Sequence, residues 1–193
     1  KQRLRDFFLI PDGVPCYSEA DIILGVKYLI NKAMELGKPL VICLGLGTNQ
    51  GDHNGNLNLE LYLDTVVTLS TINLGNQNGI SQPRTRTVRN EMEIYVEDEN
   101  PGFCTEIWGR APSLYQIAVY SPTGQRFDQL FPNRDSSGMI TYLYEGTTLY
   151  AESVVVENNS GDPFILLRFE KPATGIWRIE VTENYSSFPA GYD

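Results

Sequence analysis

The first part of the chain alternates between helix-like and strand-like spacings of apolar residues. After Ser18, apolar residues recur every three or four positions, as they do along one face of a helix: Ile22, Ile23, Val26, Leu29, Ile30, Ala33 and Met34. Ser18 followed by Asp21 is typical of a helix start, and Gly37 followed by Pro39 is typical of a helix end. The pattern therefore predicts a helix between Ser18 and Gly37.

A continuous apolar run follows this helix. Leu40 to Leu46 has the composition of a parallel strand that is covered on both faces. A polar loop from Thr48 to Asn58 precedes a second predicted helix, Leu59 to Val67, and a second predicted strand, Val66 to Leu74. This order predicts an open α/β sheet. Ligands bind beyond the carboxyl ends of the strands in such sheets, and four residues fall there: Gly45, Gly47, Gly75 and Asn76.

The pattern changes after a polar, basic stretch from Ser81 to Asn90, which predicts a linker. Short alternating runs then predict seven strands: Met92 to Val96, Cys104 to Trp108, Tyr115 to Tyr120, Ile140 to Tyr144, Leu149 to Val156, Phe164 to Phe169 and Ile176 to Val181. Regular short strands separated by turn sequences are typical of an antiparallel sandwich, and seven or eight of them suit a jelly roll. The predicted domains are an α/β part at 1–80, a linker at 81–90 and a jelly-roll β-sandwich at 91–193.

Composition limits the possible partners. The 193 residues are 41% apolar and 20% charged, as in ordinary globular proteins, and the net charge is −9. This charge argues against nucleic acid or an anionic membrane as a partner. No stretch approaches the roughly 20 apolar residues of a membrane span. The first residues do not resemble a signal peptide, and the missing initiator Met predicts that the chain is cut from a longer one.

The cysteines and the polar loop do not predict a metal site or a cofactor. The three cysteines, Cys16, Cys43 and Cys104, are widely spaced and are interpreted as isolated thiols. Four polar residues are spaced somewhat like a calcium loop: Asp52, Asn54, Asn56 and Glu60. The loop has no turn-forming glycine after Asn56, and its acid comes too early for an EF-hand, so a solvated loop is the favoured interpretation.

The dipeptide Gly75-Asn76 follows the second predicted strand. An asparagine amide at a strand end can donate a hydrogen bond to a developing oxyanion, which is worth roughly 3–4 kcal/mol. Gly-Asn is also a common turn pair, and from these two residues alone a turn is favoured. The single histidine, His53, lies in the polar loop, and Gly146-Thr147-Thr148 lacks the serine of a nucleophile motif. The chain therefore offers no base and nucleophile pair for covalent catalysis.

Aromatic residues in the second half allow two interpretations. Tyr95, Trp108, Tyr142 and Tyr144 could form a sugar-binding face on the sandwich. Aromatic residues also favour strands for packing alone, and packing is the favoured interpretation.

Several segments together resemble one protease family. They are Leu4 to Pro15, Asp21 to Ile30, Val41 to Gly51, Glu99 to Phe103, Glu106 to Gly109, Ala111 to Ser113, Ser121 to Gly124 and Gly175 to Ile179. They are similar to the central part of bacterial subtilisin-like serine proteases, in the clostridial branch that includes the Csp proteases of spore germination and carries an inserted jelly roll. The resemblance covers nearly the whole chain.

The resemblance implies roles for particular residues. Gly45, Leu46 and Gly47 match the strand that pairs with a polypeptide substrate, and Asn76 matches the oxyanion-hole asparagine. The family's Asp and His motifs lie upstream of the matching segments and its Ser motif lies downstream. The chain alone is therefore expected to be an inactive fragment of a serine endopeptidase. The resemblance implies that the intact form is extracellular or spore-associated. The alternative is a non-catalytic binding or regulatory module: a pseudoprotease, or a sandwich that binds carbohydrate or protein.

Overall fold

The computed structural model describes residues 2–48, 50–69, 91–128 and 135–184. These residues fall into two units. A helical unit comprises residues 2–5, 11–48 and 50–69, and a sandwich unit comprises residues 6–10, 91–128 and 135–184. The predicted linker at 81–90 lies outside the described residues, and the division into domains at 1–80 and 91–193 stays a prediction.

Three helices occur in the described N-terminal part: α1 (Gln2–Phe7), α2 (Glu19–Leu36) and α3 (Asn58–Leu69). The predicted first helix is confirmed as α2. The Asp21 N–H donates to Ser18 Oγ at 3.2 Å, which caps the first turn. At the other end Gly37 has a φ of 61°, and its N–H donates to the Met34 carbonyl at 3.1 Å. None of the helices in the described part of the chain combines the length and apolarity needed to cross a membrane.

The predicted strand Leu40 to Leu46 does not form: residues 38–48 have no regular secondary structure. The second predicted strand, Val66 to Leu74, is also not observed where it can be checked, since α3 continues through Leu69 and residues 70–74 lie outside the described part. A strand exists only when a neighbour completes its hydrogen bonds. The described helical unit contains no strand, so the parallel α/β part of the predicted fold is not shown.

The sandwich unit contains eight strands in its described residues: β1 (Glu91–Val96), β2 (Gly102–Trp108), β3 (Leu114–Tyr120), β4 (Arg126–Asp128), β5 (Ser136–Tyr142), β6 (Thr147–Val154), β7 (Phe164–Glu170) and β8 (Gly175–Asn184). They form two antiparallel four-stranded sheets, in the orders β1-β8-β3-β4 and β2-β7-β6-β5. The predicted antiparallel β-sheet half is therefore confirmed, whereas its description as a jelly roll stays a prediction.

A single core lies between the two sheets. Trp177 of β8 packs edge-on against Tyr142 of β5 and Phe169 of β7, with ring centroids 5.0 Å and 5.3 Å apart. All three side chains are inaccessible to solvent. The Trp177 indole N–H donates to the Ala173 carbonyl at 2.9 Å, so its polar atom is satisfied. Contacts between the inner faces of the two sheets thus stabilise the sandwich.

Candidate functional site

The predicted substrate-binding residues lie in an irregular, exposed segment. Gly45, Leu46 and Gly47 follow α2 and are all exposed, with Leu46 54% accessible. Val41, earlier in the same segment, is 93% accessible. The segment therefore presents its backbone and apolar side chains to solvent, whereas the sequence predicted that it would be buried.

Asn76, the predicted oxyanion-hole residue, lies outside the described residues. The chain leading to it is described only through α3, whose first turn is fixed by Glu19 of α2. Glu19 Oε1 accepts from the Leu59 N–H at 2.7 Å, and its Oε2 accepts from Asn58 Nδ2 at 3.3 Å. A carboxylate at this position satisfies N–H groups of the helix start and complements the helix dipole. These hydrogen bonds hold α2 against the start of α3, the two helices on either side of the predicted substrate segment in the sequence.

The polar loop between the predicted substrate segment and α3 is held by its own side chains. Asp52 accepts from the Asn54 N–H at 3.1 Å and from Asn56 Nδ2 at 2.5 Å. Burial acts to raise the pKa of Asp52, but these hydrogen bonds outweigh it and lower the pKa. Gly51 has a φ of 94°, and a Cβ there would lie 2.8 Å from the Leu57 side chain. The loop thus has a defined conformation.

The acidic side chains of this loop accept hydrogen bonds from nearby residues. Asn side chains and backbone groups occupy the Asp52 carboxylate, and Glu60 Oε2 accepts from the Leu57 N–H at 3.0 Å at the start of α3. Among the residues that the structure describes, no three His, Cys, Asp or Glu side chains are grouped to hold a metal ion. Its acidic groups therefore have structural roles here.

Thr147 belongs to Gly146-Thr147-Thr148, the sequence compared above with a nucleophile motif. Its hydroxyl forms hydrogen bonds with two backbone groups. Thr147 is inaccessible to solvent at the start of β6. Its Oγ1 donates to the Lys171 carbonyl at 3.1 Å and accepts from the Ala173 N–H at 2.9 Å. Two backbone groups of the β7–β8 turn are thus hydrogen-bonded to this hydroxyl.

The four aromatic residues considered for a sugar-binding face do not share one. Tyr142 is buried in the core, whereas Tyr144 is exposed in the turn after β5. Trp108 stacks on Phe164 with ring centroids 4.7 Å apart, and its indole N–H donates to Glu106 at 3.0 Å. The interpretation of these aromatics as one sugar platform is therefore wrong, because Tyr142 packs inside and Trp108 is held by its neighbours.

A groove that the sequence did not reveal lies on the outer face of the β2-β7-β6-β5 sheet. It has a volume of about 560 Å³ and is lined by Phe7, Ser137, Gly138, Met139, Tyr150, Ala151, Glu152, Leu166 and Arg168. The sequence gives no local signal for it, because the lining comes from three strands and from Phe7. The groove is a concave surface on which a ligand could lie against this sheet.

Arg168 builds one wall of the groove. Its Nε donates to the Phe7 carbonyl at 2.7 Å, and its guanidinium lies 5.6 Å from the Phe7 ring centroid and 5.0 Å from that of Tyr150. Glu170 pairs with it at 2.5 Å. Arg168 therefore positions Phe7 over the sheet, and its charge is already neutralised.

The three cysteines are free thiols, as predicted. Cys16 accepts from Arg5 at 3.2 Å, and Cys43 is exposed. Burial raises the pKa of Cys104, although the nearby Arg168 opposes the rise. A thiol with a raised pKa is a poor nucleophile at neutral pH, so Cys104 does not suit a catalytic role.

The fold is similar to that in the structure of the CspB protease of Clostridium perfringens, with a TM-score of 0.68 and 20% sequence identity. The match covers 91% of this chain and 39% of that chain, so the chain spans well under half the length of the protease. No family profile matches the chain, and no curated protein sequence matches it. At this identity the similarity is one of fold.

Proposed function

We propose that this chain is an internal part of a subtilisin-like serine endopeptidase, in the clostridial branch, whose intact form hydrolyses peptide bonds. The observation that carries the proposal is the fold similarity to the CspB protease over 91% of the chain. The match includes both the helical and the sandwich residues, and the sequence segments that resemble the family lie in both. The proposed setting of the intact protein is extracellular or spore-associated.

Exposed apolar residues in the helical unit support the proposal. In α2 only Val26 is buried, while Leu29 and Met34, on the face that the periodicity assigns to the core, are exposed. Val41 and Leu46 in the following segment are exposed as well. Exposed apolar surface of this kind marks contact with further protein. We propose that the remaining strands and helices of a catalytic domain cover it in the intact protein.

In the proposed mechanism, this chain supplies binding groups and the rest of the protein supplies the catalytic triad. The backbone of Gly45, Leu46 and Gly47 would hold the substrate as an added strand, and glycines allow the close approach that this requires. The Asn76 amide would donate to the oxyanion of the tetrahedral intermediate. An upstream His and Asp would activate a downstream Ser, which attacks the scissile carbonyl.

The test uses the full-length protein, a serine-directed fluorophosphonate probe and a peptide-hydrolysis assay. The probe is expected to label one serine downstream of this chain. Asn76→Ala is expected to lower kcat by about 100- to 1,000-fold with a much smaller change in KM, because the oxyanion forms only in the transition state. Asn78→Ala, two residues away, is the matched control and should retain activity. Equal effects of the two substitutions would remove Asn76 from the oxyanion hole.

The second candidate function is a non-catalytic binding or regulatory module, which the groove on the sandwich favours. Absence of labelling, together with absence of a Ser motif downstream, would refute the endopeptidase and leave this alternative. The protein would then be a pseudoprotease that retains the fold without the chemistry.

A further inference from the structure

Of the four edge strands in the described part of the sandwich, β5 is the one that carries no charge. Among the described residues, β5 pairs only with β6, so its other side presents backbone N–H and C=O groups. Proteins usually protect such edges with charged residues, prolines or very short strands. The other edge strands carry charges, in β1 (Glu91 and Glu93), in β2 (Glu106) and in the three-residue β4 (Arg126 and Asp128). The sequence of β5, Ser-Ser-Gly-Met-Ile-Thr-Tyr, contains neither a charge nor a proline.

The groove on the outer face opens beside this edge. Ser137, Gly138 and Met139 of β5 line it, and the Met139 side chain is 62% exposed. A strand added to β5 would place every second side chain on the outer face, next to the groove. An unprotected edge beside an apolar groove has the two features of β-strand addition, in which the backbone supplies affinity and side-chain pockets supply specificity.

The register of the sheet shows what each added side chain would meet. Met139 lies opposite Tyr150, which in turn lies opposite Arg168, so this row combines exposed apolar surface with the Arg168 wall. An apolar side chain next to Met139 would pack on this row. Cross-strand neighbours on one face interact directly, so we expect this row to favour an apolar ligand side chain over a polar one.

The neighbouring row has an acidic character. Ser137 lies opposite Glu152, and Glu152 lies opposite Leu166. Glu152 is exposed and forms no ion pair with any residue in the described part of the chain. Because Ser137 is small, a long basic side chain on an added strand can pass over it toward Glu152. The net charge of −9 further favours a basic ligand and opposes pairing between two copies of the chain.

We propose that β5 and the adjoining groove bind an extended peptide as an antiparallel added strand, with an apolar residue beside Met139 and a basic residue two positions later facing Glu152. In an antiparallel arrangement the ligand residue beside Met139 precedes the one beside Ser137, which sets the order apolar, any residue, basic. This proposal concerns the sandwich and is independent of the proposed endopeptidase activity.

The test measures fluorescence anisotropy of a fluorescein-labelled peptide, Thr-Val-Thr-Leu-Thr-Lys-Thr, titrated with the 193-residue chain. A peptide with Glu in place of Lys is expected to bind at least about tenfold more weakly, since it directs a second carboxylate across Ser137 toward Glu152. Glu152→Lys should reverse this preference. If the Glu152→Lys chain still prefers the Lys peptide over the Glu peptide, Glu152 does not have this role.

Backbone pairing is tested separately, with two versions of the Lys peptide that are N-methylated on alternate residues in opposite phase. An added strand turns alternate N–H groups toward β5, so one version should lose binding and the other should keep it. Equal affinity of both versions, or no binding of the unmodified peptide, would refute strand addition.

The edge itself is tested with Met139→Lys, which adds a charge to β5 and should weaken peptide binding by about tenfold or more. Met92→Lys, on the β1 edge of the other sheet, is the matched control and should bind like the unmodified chain. A concentration-dependent dimer that Met139→Lys abolishes would show that the edge pairs with a second copy, and would overturn the peptide proposal.

Discussion

Thr147→Val tests how a buried hydroxyl secures the turn between β7 and β8. Thr147 is inaccessible to solvent, and its hydroxyl bonds both the Lys171 carbonyl and the Ala173 N–H. Valine has nearly the same shape but cannot make either hydrogen bond. The substitution therefore changes hydrogen bonding while leaving almost no cavity.

The expected cost follows from the two groups that lose their partner. A buried backbone group left without a hydrogen bond costs about 1–3 kcal/mol, and the two groups here are partly buried, so we expect a total of about 2–4 kcal/mol. With a urea m-value of about 2 kcal/mol/M, the unfolding midpoint should fall by about 1–2 M. Thr147→Ser keeps the hydroxyl and loses one methyl group, so its expected cost is about 1 kcal/mol.

Tryptophan fluorescence in urea can follow this unit alone, because both tryptophans of the chain, Trp108 and Trp177, lie in the sandwich. Thr148→Val is the matched control. Its hydroxyl lies 3.4 Å from that of Thr141 at an exposed position, so we expect a change below about 0.5 kcal/mol. Equal midpoints for Thr147→Val and Thr148→Val would refute this account of the turn.

Two further predictions concern the same unit. Burial acts to raise the pKa of Glu145, but hydrogen bonds from Ser121 and Thr123 outweigh this effect and lower the pKa. The ionised Glu145 carboxylate therefore stabilises the fold at neutral pH, and this stabilisation is lost as the pH falls through the lowered pKa. Glu145→Gln should therefore lower the urea midpoint at about pH 7, and its effect should shrink as the pH falls through the lowered pKa. A loss of the same size at every acidic pH would contradict this. At Gly102, which has a φ of 140°, an added Cβ would overlap the Phe169 carbonyl oxygen and the Leu9 side chain. Gly102→Ala should destabilise the sandwich by about 2 kcal/mol or more, clearly more than Gly124→Ala, which shares a positive φ but has open space around it.

The two ends of α2 were predicted correctly from the sequence. The start of α2 at Ser18 and its end at Gly37 are set by hydrogen bonds within a few residues, so the sequence contains the information directly. The alternating runs of the second half similarly predicted most strands, because strands such as β6 and β7 bury every second residue. β4 was missed, since a three-residue strand with two charges forms only by pairing with β3.

The groove could not be predicted because its residues are distant in sequence. Phe7 reaches it through a hydrogen bond with Arg168, a residue 161 positions later. Met139, Tyr150 and Arg168 become neighbours only through the register of three strands. No local pattern records such a register, whereas the predicted site at Gly45 to Gly47 and Asn76 came from a family resemblance.

The segment from Leu40 to Leu46 is apolar, as a buried parallel strand would be, but it does not form a strand. An apolar run of this kind forms a parallel strand only if strands lie on both sides and helices cover both faces. The described residues provide no strand partner, and Val41 is almost fully accessible. The exposed apolar residues of α2 have the same cause, because a helix forms from its own hydrogen bonds but needs a neighbour to bury its apolar face. The missing strand and the exposed helix face are therefore one observation, and the proposed intact endopeptidase accounts for both by supplying a single set of neighbours.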